Sequence, residues 1–222
     1  MIEIAIDGPA ASGKGALGKK LSDKYNFPYL DTGILYRKVA YELIKNNIKN
    51  SENLEILCCN FAKNLNLKEF KNKNLRTEDV AKLASKIAIF PNLRKILNNK
   101  QKEFSNFNKK QFGGCILDGR DIGTTILPNA DFKFFITASI EVRAKRRLLQ
   151  KNISFLHEND EKCMLQTLIN DMKERDKLDS NRKTSPLVPA KDAHVIDTTI
   201  INSQELLLIV TNIIEGKNEL LK

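Results

Sequence analysis

Tryptophan is absent from this 222-residue chain, histidine occurs twice, and only nine arginines stand beside 28 lysines. Each shortage excludes something. With His157 and His194 alone, and no G-x-S-x-G elbow, a Ser-His-Asp hydrolase has little to build on. The four cysteines, Cys58, Cys59, Cys115 and Cys163, show no metal-ligand spacing, and adjacent Cys58 and Cys59 suit neither a chelate nor a disulfide framework. They read as reduced thiols in a cytoplasmic protein. No apolar run approaches the ~20 residues that span a bilayer, so no membrane partner is expected. The chain opens MIEIAIDG, an alternating strand that begins at once, and no signal peptide is expected there. An apolar content of 41% supplies a core for one large domain and argues against disorder.

The net charge is +10, which raises the question of nucleic acid. Nearly all of that excess sits between residues 45 and 110, where 15 Lys+Arg face 6 Asp+Glu and 14 asparagines. Basic residues there are almost all Lys, without the interleaved Arg and aromatics of a nucleic-acid surface. The stretch reads as a solvated Lys/Asn face, and no nucleic-acid partner is expected. In a chain that uses Lys by default, each Arg marks a place where a planar, permanently charged fork is useful, phosphate above all.

Ile2 to Ile6 reads as a strand, GPAASGKG (Gly8–Gly15) as a glycine loop, and Ala16 to Lys24 as a helix. A second strand, Phe27 to Leu30, ends in Asp31-Thr32-Gly33 and leads to a helix from Ile34 to Lys45. Residues 46–76 read as a polar, irregular insert. Thr77 caps a helix through Ala88, and Pro91 opens another to about Asn106. Cys115–Leu117 and Phe132–Ile136 read as strands, followed by helices from Ile140 and over Glu161–Lys177. Val195–Asp197 is the last strand and Gln204–Glu215 the closing helix. This alternation predicts an α/β fold, a three-layer P-loop NTPase-type parallel sheet flanked by helices.

The loop is the strand-to-helix pattern that cradles nucleotide phosphates. Gly8 and Gly13 let backbone amides wrap a phosphate, and Lys14 reaches the β/γ oxygens. Gly15 stands where a Ser or Thr usually ligates Mg²⁺, so the ion must be held by phosphate oxygens and water, with Asp118 at a strand end as the nearby carboxylate. LDTGILYR delivers Thr32 and Arg37 after the second strand. GRDIGT brings Arg120 and Asp121 to the end of another, where such sheets bind ligands. Arg143 and Arg147 share one helical face. Arg175, Asp179 and Arg182 lie at i, i+4 and i+7. Together these runs predict a lid that closes on transferring phosphates.

GPAASGKG, LDTGILYR, GRDIGT, RAKRR and KERDKLDSNR with SPLVPAKDAHVIDTT together resemble the bacterial cytidylate kinases, a branch of the nucleoside monophosphate kinases. The likeness runs in order from Ile4 to about Thr199. It implies transfer of the γ-phosphoryl group of ATP, with Mg²⁺, to CMP or dCMP by a monomer. It also implies a core (1–33, 107–142 and 183–222), a nucleotide-acceptor region (34–106) and a lid (143–182). Carried over, Gly8, Pro9, Ala10, Ala11, Ser12, Gly13, Lys14, Gly15 and Ala16 bind ATP. Thr32 lies near the acceptor, and Arg37, Arg120 and Arg182 hold its phosphate. Ser85, Arg94 and Asp121 read cytosine, Arg175 and Asp179 meet the ribose, and Arg146 and Arg147 belong to the lid. Lys14, Arg120, Arg147 and Arg175 are the expected catalytic set.

Two positions depart from that pattern. Ala16 replaces a Thr common in relatives, which is expected to weaken ATP binding by about 1 kcal/mol, one hydrogen bond. Residues 46–76 are shorter than the usual insert, which leaves its small sheet open. Two rivals are another small-molecule kinase, whose acceptor would be UMP, AMP, shikimate or a pantetheine compound, and a nucleic-acid binder with a vestigial loop. The second would bind oligonucleotides with strong salt dependence.

Overall fold

The computed structural model describes residues 1–48, 52–66, 73–151, 157–182 and 184–219. Its five-stranded sheet has the order β2-β3-β1-β4-β5, with β1 Ile2–Asp7, β2 Tyr29–Asp31, β3 Gly114–Gly119, β4 Phe132–Thr137 and β5 His194–Asp197. β1 pairs in parallel with both β3 and β4, and β4 in parallel with β5. Ile4, Ala5 and Ile6 of β1 have no exposed surface, so both faces of the central strand are covered. On one face α1 (Lys14–Tyr25) and α8 (Ser203–Glu219) supply Leu17, Leu21, Leu206, Val210 and Ile214. These pack with Ile4, Ile6, Phe134 and Ile136. Truncating one such Leu to Ala would cost about 2–5 kcal/mol.

Two compact units divide the chain. One comprises Met1–Tyr29 with Asn108–Lys222, the other Leu30–Phe107. The second unit is helical: α2 (Gly33–Lys45), α3 (Leu54–Lys63), α4 (Glu78–Ile87) and the first part of α5 (Pro91–Phe112). They enclose their own core, with Leu35, Val39, Leu43, Cys58, Ile87, Leu93 and Leu97 unexposed. In the first unit α6 (Ile140–Gln150) and α7 (Glu158–Ser180) form a smaller cluster through Ala144, Leu148, Leu168 and Met172.

Several elements differ from expectation. Within 46–76, expected to be an irregular insert, the described residues Leu54–Lys63 form α3, because Leu54, Cys58 and Ala62 at helical spacing bury it against the second core. No strand occurs among the described residues of that stretch; residues 49–51 and 67–72 lie outside them. α5 continues past Asn106 to Phe112 and stops at Gly113, whose φ of 78° no helix can adopt. α7 begins earlier than Glu161, with Glu158, Asp160 and Glu161 in its first turn complementing the positive helix end. Thr77 precedes α4 with extended backbone, but its hydroxyl donates to Asn74 O at 3.0 Å instead of capping the helix.

Candidate functional site

The GPAASGKG loop leaves the C-terminal end of β1 and enters α1. Its shape depends on its glycines. Gly8 has φ 147°, and a side chain there would run into the Ile136 carbonyl of β4; Gly13 has φ 104° at the helix N-terminus. Ala11 also lies in the left-handed region, with φ 58°. Lys14 is buried and its Nζ donates to Pro9 O at 3.0 Å, so the ammonium is folded back over the loop. The Ser12 side chain is fully buried, and its Oγ has no hydrogen-bond partner. Ala10 and Ala11 pack on the α6–α7 cluster, and Ala16 is exposed.

Gly15 faces Asp118. A Cβ at Gly15 would lie 3.4 Å from Asp118 Oδ2, so a buried carboxylate stands beside the position whose hydroxyl is missing. The Tyr29 hydroxyl donates to the same oxygen at 2.8 Å and holds it there. A hard cation would find this acidic oxygen suitable.

Beyond β3 the chain passes Arg120 and buried Asp121 into a π-helical turn, Ile122–Ile126. Nothing in the sequence marks this turn, because i→i+5 hydrogen bonding has no residue signature. Asp7 anchors it, accepting from the amides of Ile122 at 2.8 Å and Gly123 at 2.7 Å. No role for Asp7 follows from the sequence; its one local signal is a carboxylate placed directly after the apolar run Ile4-Ala5-Ile6.

Arg120 Nε donates to Asp179 Oδ2 at 2.9 Å, and Arg182 Nη2 lies 3.5 Å from Asp179 Oδ1. Burial opposes the Arg120 charge, but Asp179, then Asp118 and Asp176, outweigh it and the guanidinium is held charged more firmly than usual. Burial likewise opposes the Asp179 carboxylate, yet Arg120, Arg182 and Arg175 bring it below the ordinary carboxylate value. Thus Arg120, Arg175, Asp179 and Arg182 come together in one unit. Asp179 is committed to arginines there, where a ribose contact alone was expected.

Arg143 had no expected role beyond its helical face. It is buried, donating through Nε to Ala138 O at 2.9 Å and through Nη2 to Asp176 Oδ2 at 2.6 Å, with Ala10 O 3.4 Å from Nη1. It therefore ties the phosphate loop to α7. Arg146 contacts the loop as well, through Ser12 O at 3.4 Å, and binds Thr198 through Oγ1 at 2.8 Å and O at 2.6 Å. Arg147 reaches Gln150 at 3.3 Å.

In the helical unit, buried Thr32 precedes α2 and half-buried Arg37 donates to Leu75 O at 3.1 Å. Arg94 is buried in α5, donating to Ala88 O at 3.2 Å with its guanidinium 5.9 Å from the Tyr36 ring centre. Ser85 is half-buried on α4. Arg76 lies 3.9 Å from Asp31 as an exposed pair, worth little.

The sequence profile of the family described as "Cytidylate kinase" matches residues 4–216. The chain belongs to the cytidylate kinase family. It is 39% identical over 212 residues to a cytidylate kinase of Bartonella tribocorum, covering 96% of this chain and 94% of that one. A cytidylate kinase of Methylocella silvestris is 40% identical over 219 residues, covering 99% and 96%. Among solved structures, an uncharacterized protein from Eubacterium ventriosum aligns over 97% of this chain and 99% of its own, at 17% identity and TM-score 0.51, a likeness of fold. Family membership makes this P-loop α/β fold that of a nucleotide-dependent phosphotransferase. Among the described residues, no helix is long and apolar enough to cross a membrane.

Proposed function

We propose that this member of the cytidylate kinase family transfers the γ-phosphoryl group of ATP to CMP or dCMP, giving CDP or dCDP and ADP. The GPAASGKG loop carries the donor half of this reading: positive-φ glycines, the helix N-terminus and Lys14 form a cradle for phosphate. Gly8–Ala16 hold ATP. Mg²⁺, when bound, supplies charge neutralisation on the phosphates, and Asp118 beside Gly15 is the residue that would hold it, through water.

The acceptor phosphate is already a nucleophilic dianion, so no general base is needed. Catalysis is positioning and charge stabilisation. Arg37, Arg120 and Arg182 bind the acceptor phosphate, and Thr32 lies near the acceptor. Ser85, Arg94 and Asp121 read cytosine; Arg175 and Asp179 serve the ribose side. Lys14, Arg120, Arg147 and Arg175 spread the charge of the transferring group. In this reading 34–106 is the acceptor region and 143–182 the lid, which excludes water on closure. The protein acts as a cytoplasmic monomer without a nucleic-acid partner, and four cysteines that form no disulfide suit a reducing compartment.

The test is a panel of CMP, dCMP, UMP, AMP and shikimate with Mg·ATP, read by coupled ADP release. CMP or dCMP should give the highest kcat/KM. A preference for UMP, AMP or shikimate would overturn the acceptor assignment.

A further inference from the structure

Asp7 is an expensive residue where it stands. It ends a strand whose preceding three residues, Ile4, Ala5 and Ile6, are apolar and buried, is only 5% exposed, and directly precedes Gly8 of the phosphate loop. Its two oxygens are both used: Oδ1 accepts the Ile122 amide and Oδ2 the Gly123 amide. Burial pushes its pKa up to about 6, against the pull of those amides and of Lys14, and Asp121 adds repulsion. The charged groups facing it are Lys14 of α1 and Asp121 of the turn, whereas the ammonium of Lys133 in β4 is bound to Asp192. The Lys133 methylenes flank Gly123. Burying this carboxylate is costly, and its bonds to the two amides, which no other group among the described residues accepts from, offset that cost. Neither the phosphate-loop pattern nor the family resemblance assigns it a role.

We propose that Asp7 is a positioning residue for the acceptor: its two oxygens hold the Ile122–Ile126 turn, and with it Arg120 and Asp121, in fixed register with the phosphate loop. The proposal rests on the acceptor roles given above to Arg120 and Asp121. Asp7 touches no substrate. The donor cradle begins one residue after it, and the two amides it binds begin one residue after Asp121. A single side chain thereby sets the offset between two groups of ligands 115 residues apart in the chain. In-line transfer is sensitive to such an offset, because a misplacement of about 1 Å costs about a hundredfold.

Asp7→Asn tests it, being nearly isosteric while turning an NH₂ toward one of the amides. The expected result is a fall of about tenfold or more in kcat/KM for CMP, with the ATP dissociation constant within about twofold of wild type. The melting temperature is read alongside, and the deciding result is the loss in kcat/KM for CMP at unchanged ATP affinity. A lower melting temperature with unchanged kcat/KM would mean a role in the fold alone and overturn the proposal, as would an equal loss of ATP affinity. Should Asp7→Asn fail to fold, Gly123→Ala decides. Its Cβ would crowd Lys133 Cδ at 3.2 Å and come into contact with Asp7 Oδ2 at 3.4 Å, between the turn and its anchor. The same acceptor-selective loss is expected, and unchanged CMP kinetics overturn the proposal. Wild-type turnover of CMP, measured alongside, separates failure of this inference from failure of the acceptor assignment.

Discussion

Arg120 Nε donates to Asp179 Oδ2 at 2.9 Å, joining the residue after β3 to the last turn of α7. Both side chains are largely buried, at 17% and 9% exposure, so removing Asp179 takes from Arg120 its hydrogen-bonded counter-charge and from Arg182 its nearby one. Asp179→Ala should therefore destabilise the protein by about 3 kcal/mol and lower kcat/KM for the acceptor. The Asp179 pKa is depressed, so its contribution is full above the ordinary carboxylate value and disappears as pH falls below it. Urea unfolding at neutral and acid pH checks this: the gap between wild type and variant should close in acid, and a constant gap would count against the pair.

Lys14 offers the donor loop its only ammonium. Lys14→Ala should lower turnover by about a hundredfold or more and leave the circular dichroism spectrum and melting temperature near wild type. A near-wild-type rate of ADP release would remove Lys14 from the catalytic set.

Asp121 is buried just before the π-type turn, where a carboxylate can accept from the exocyclic amine of cytosine and repels the carbonyl of uracil. Asp121→Ala should narrow the preference for CMP over UMP. Equal specificity ratios in wild type and variant would show that another group reads the base.

Asp7 has the opposite pH behaviour to Asp179. Its pKa of about 6 exceeds the unfolded value of 3.8, so its contribution to stability is full below 3.8 and is lost as pH rises through 6. The loss is on the order of 2–3 kcal/mol. Urea midpoints measured from about pH 4.5 to 7.5 should show Asp7→Asn gaining on wild type as pH rises. Parallel pH curves would mean that Asp7 does not titrate in this range.

Much of the fold was legible because it depends on local pattern. The alternation of Ile2, Ile4 and Ile6, the glycines of the loop, and the 3.6-residue spacing of Leu17 and Leu21 each act within a few residues. α3 escaped notice because its polar Asn and Lys surroundings masked the Leu54–Cys58–Ala62 face, whose significance appears only against the rest of its core. The scarcity of arginine beside lysine singles out Arg120, Arg175 and Arg182 from the sequence alone. Arg143 stands out in the same way, but its bonds to Ala138, Ala10 and Asp176 are not legible there.

The sequence by itself determined the parallel α/β alternation, the phosphate loop and the places where arginine replaces lysine, because backbone conformation and residue choice are local properties. Tertiary structure decided the partners: Asp179 with Arg120, Arg143 with Asp176 and Ala10, and Asp7 with two amides 115 and 116 residues away. Those pairings depend on which strand ends lie side by side in the sheet, and charge balance in a buried cluster exists only once they do.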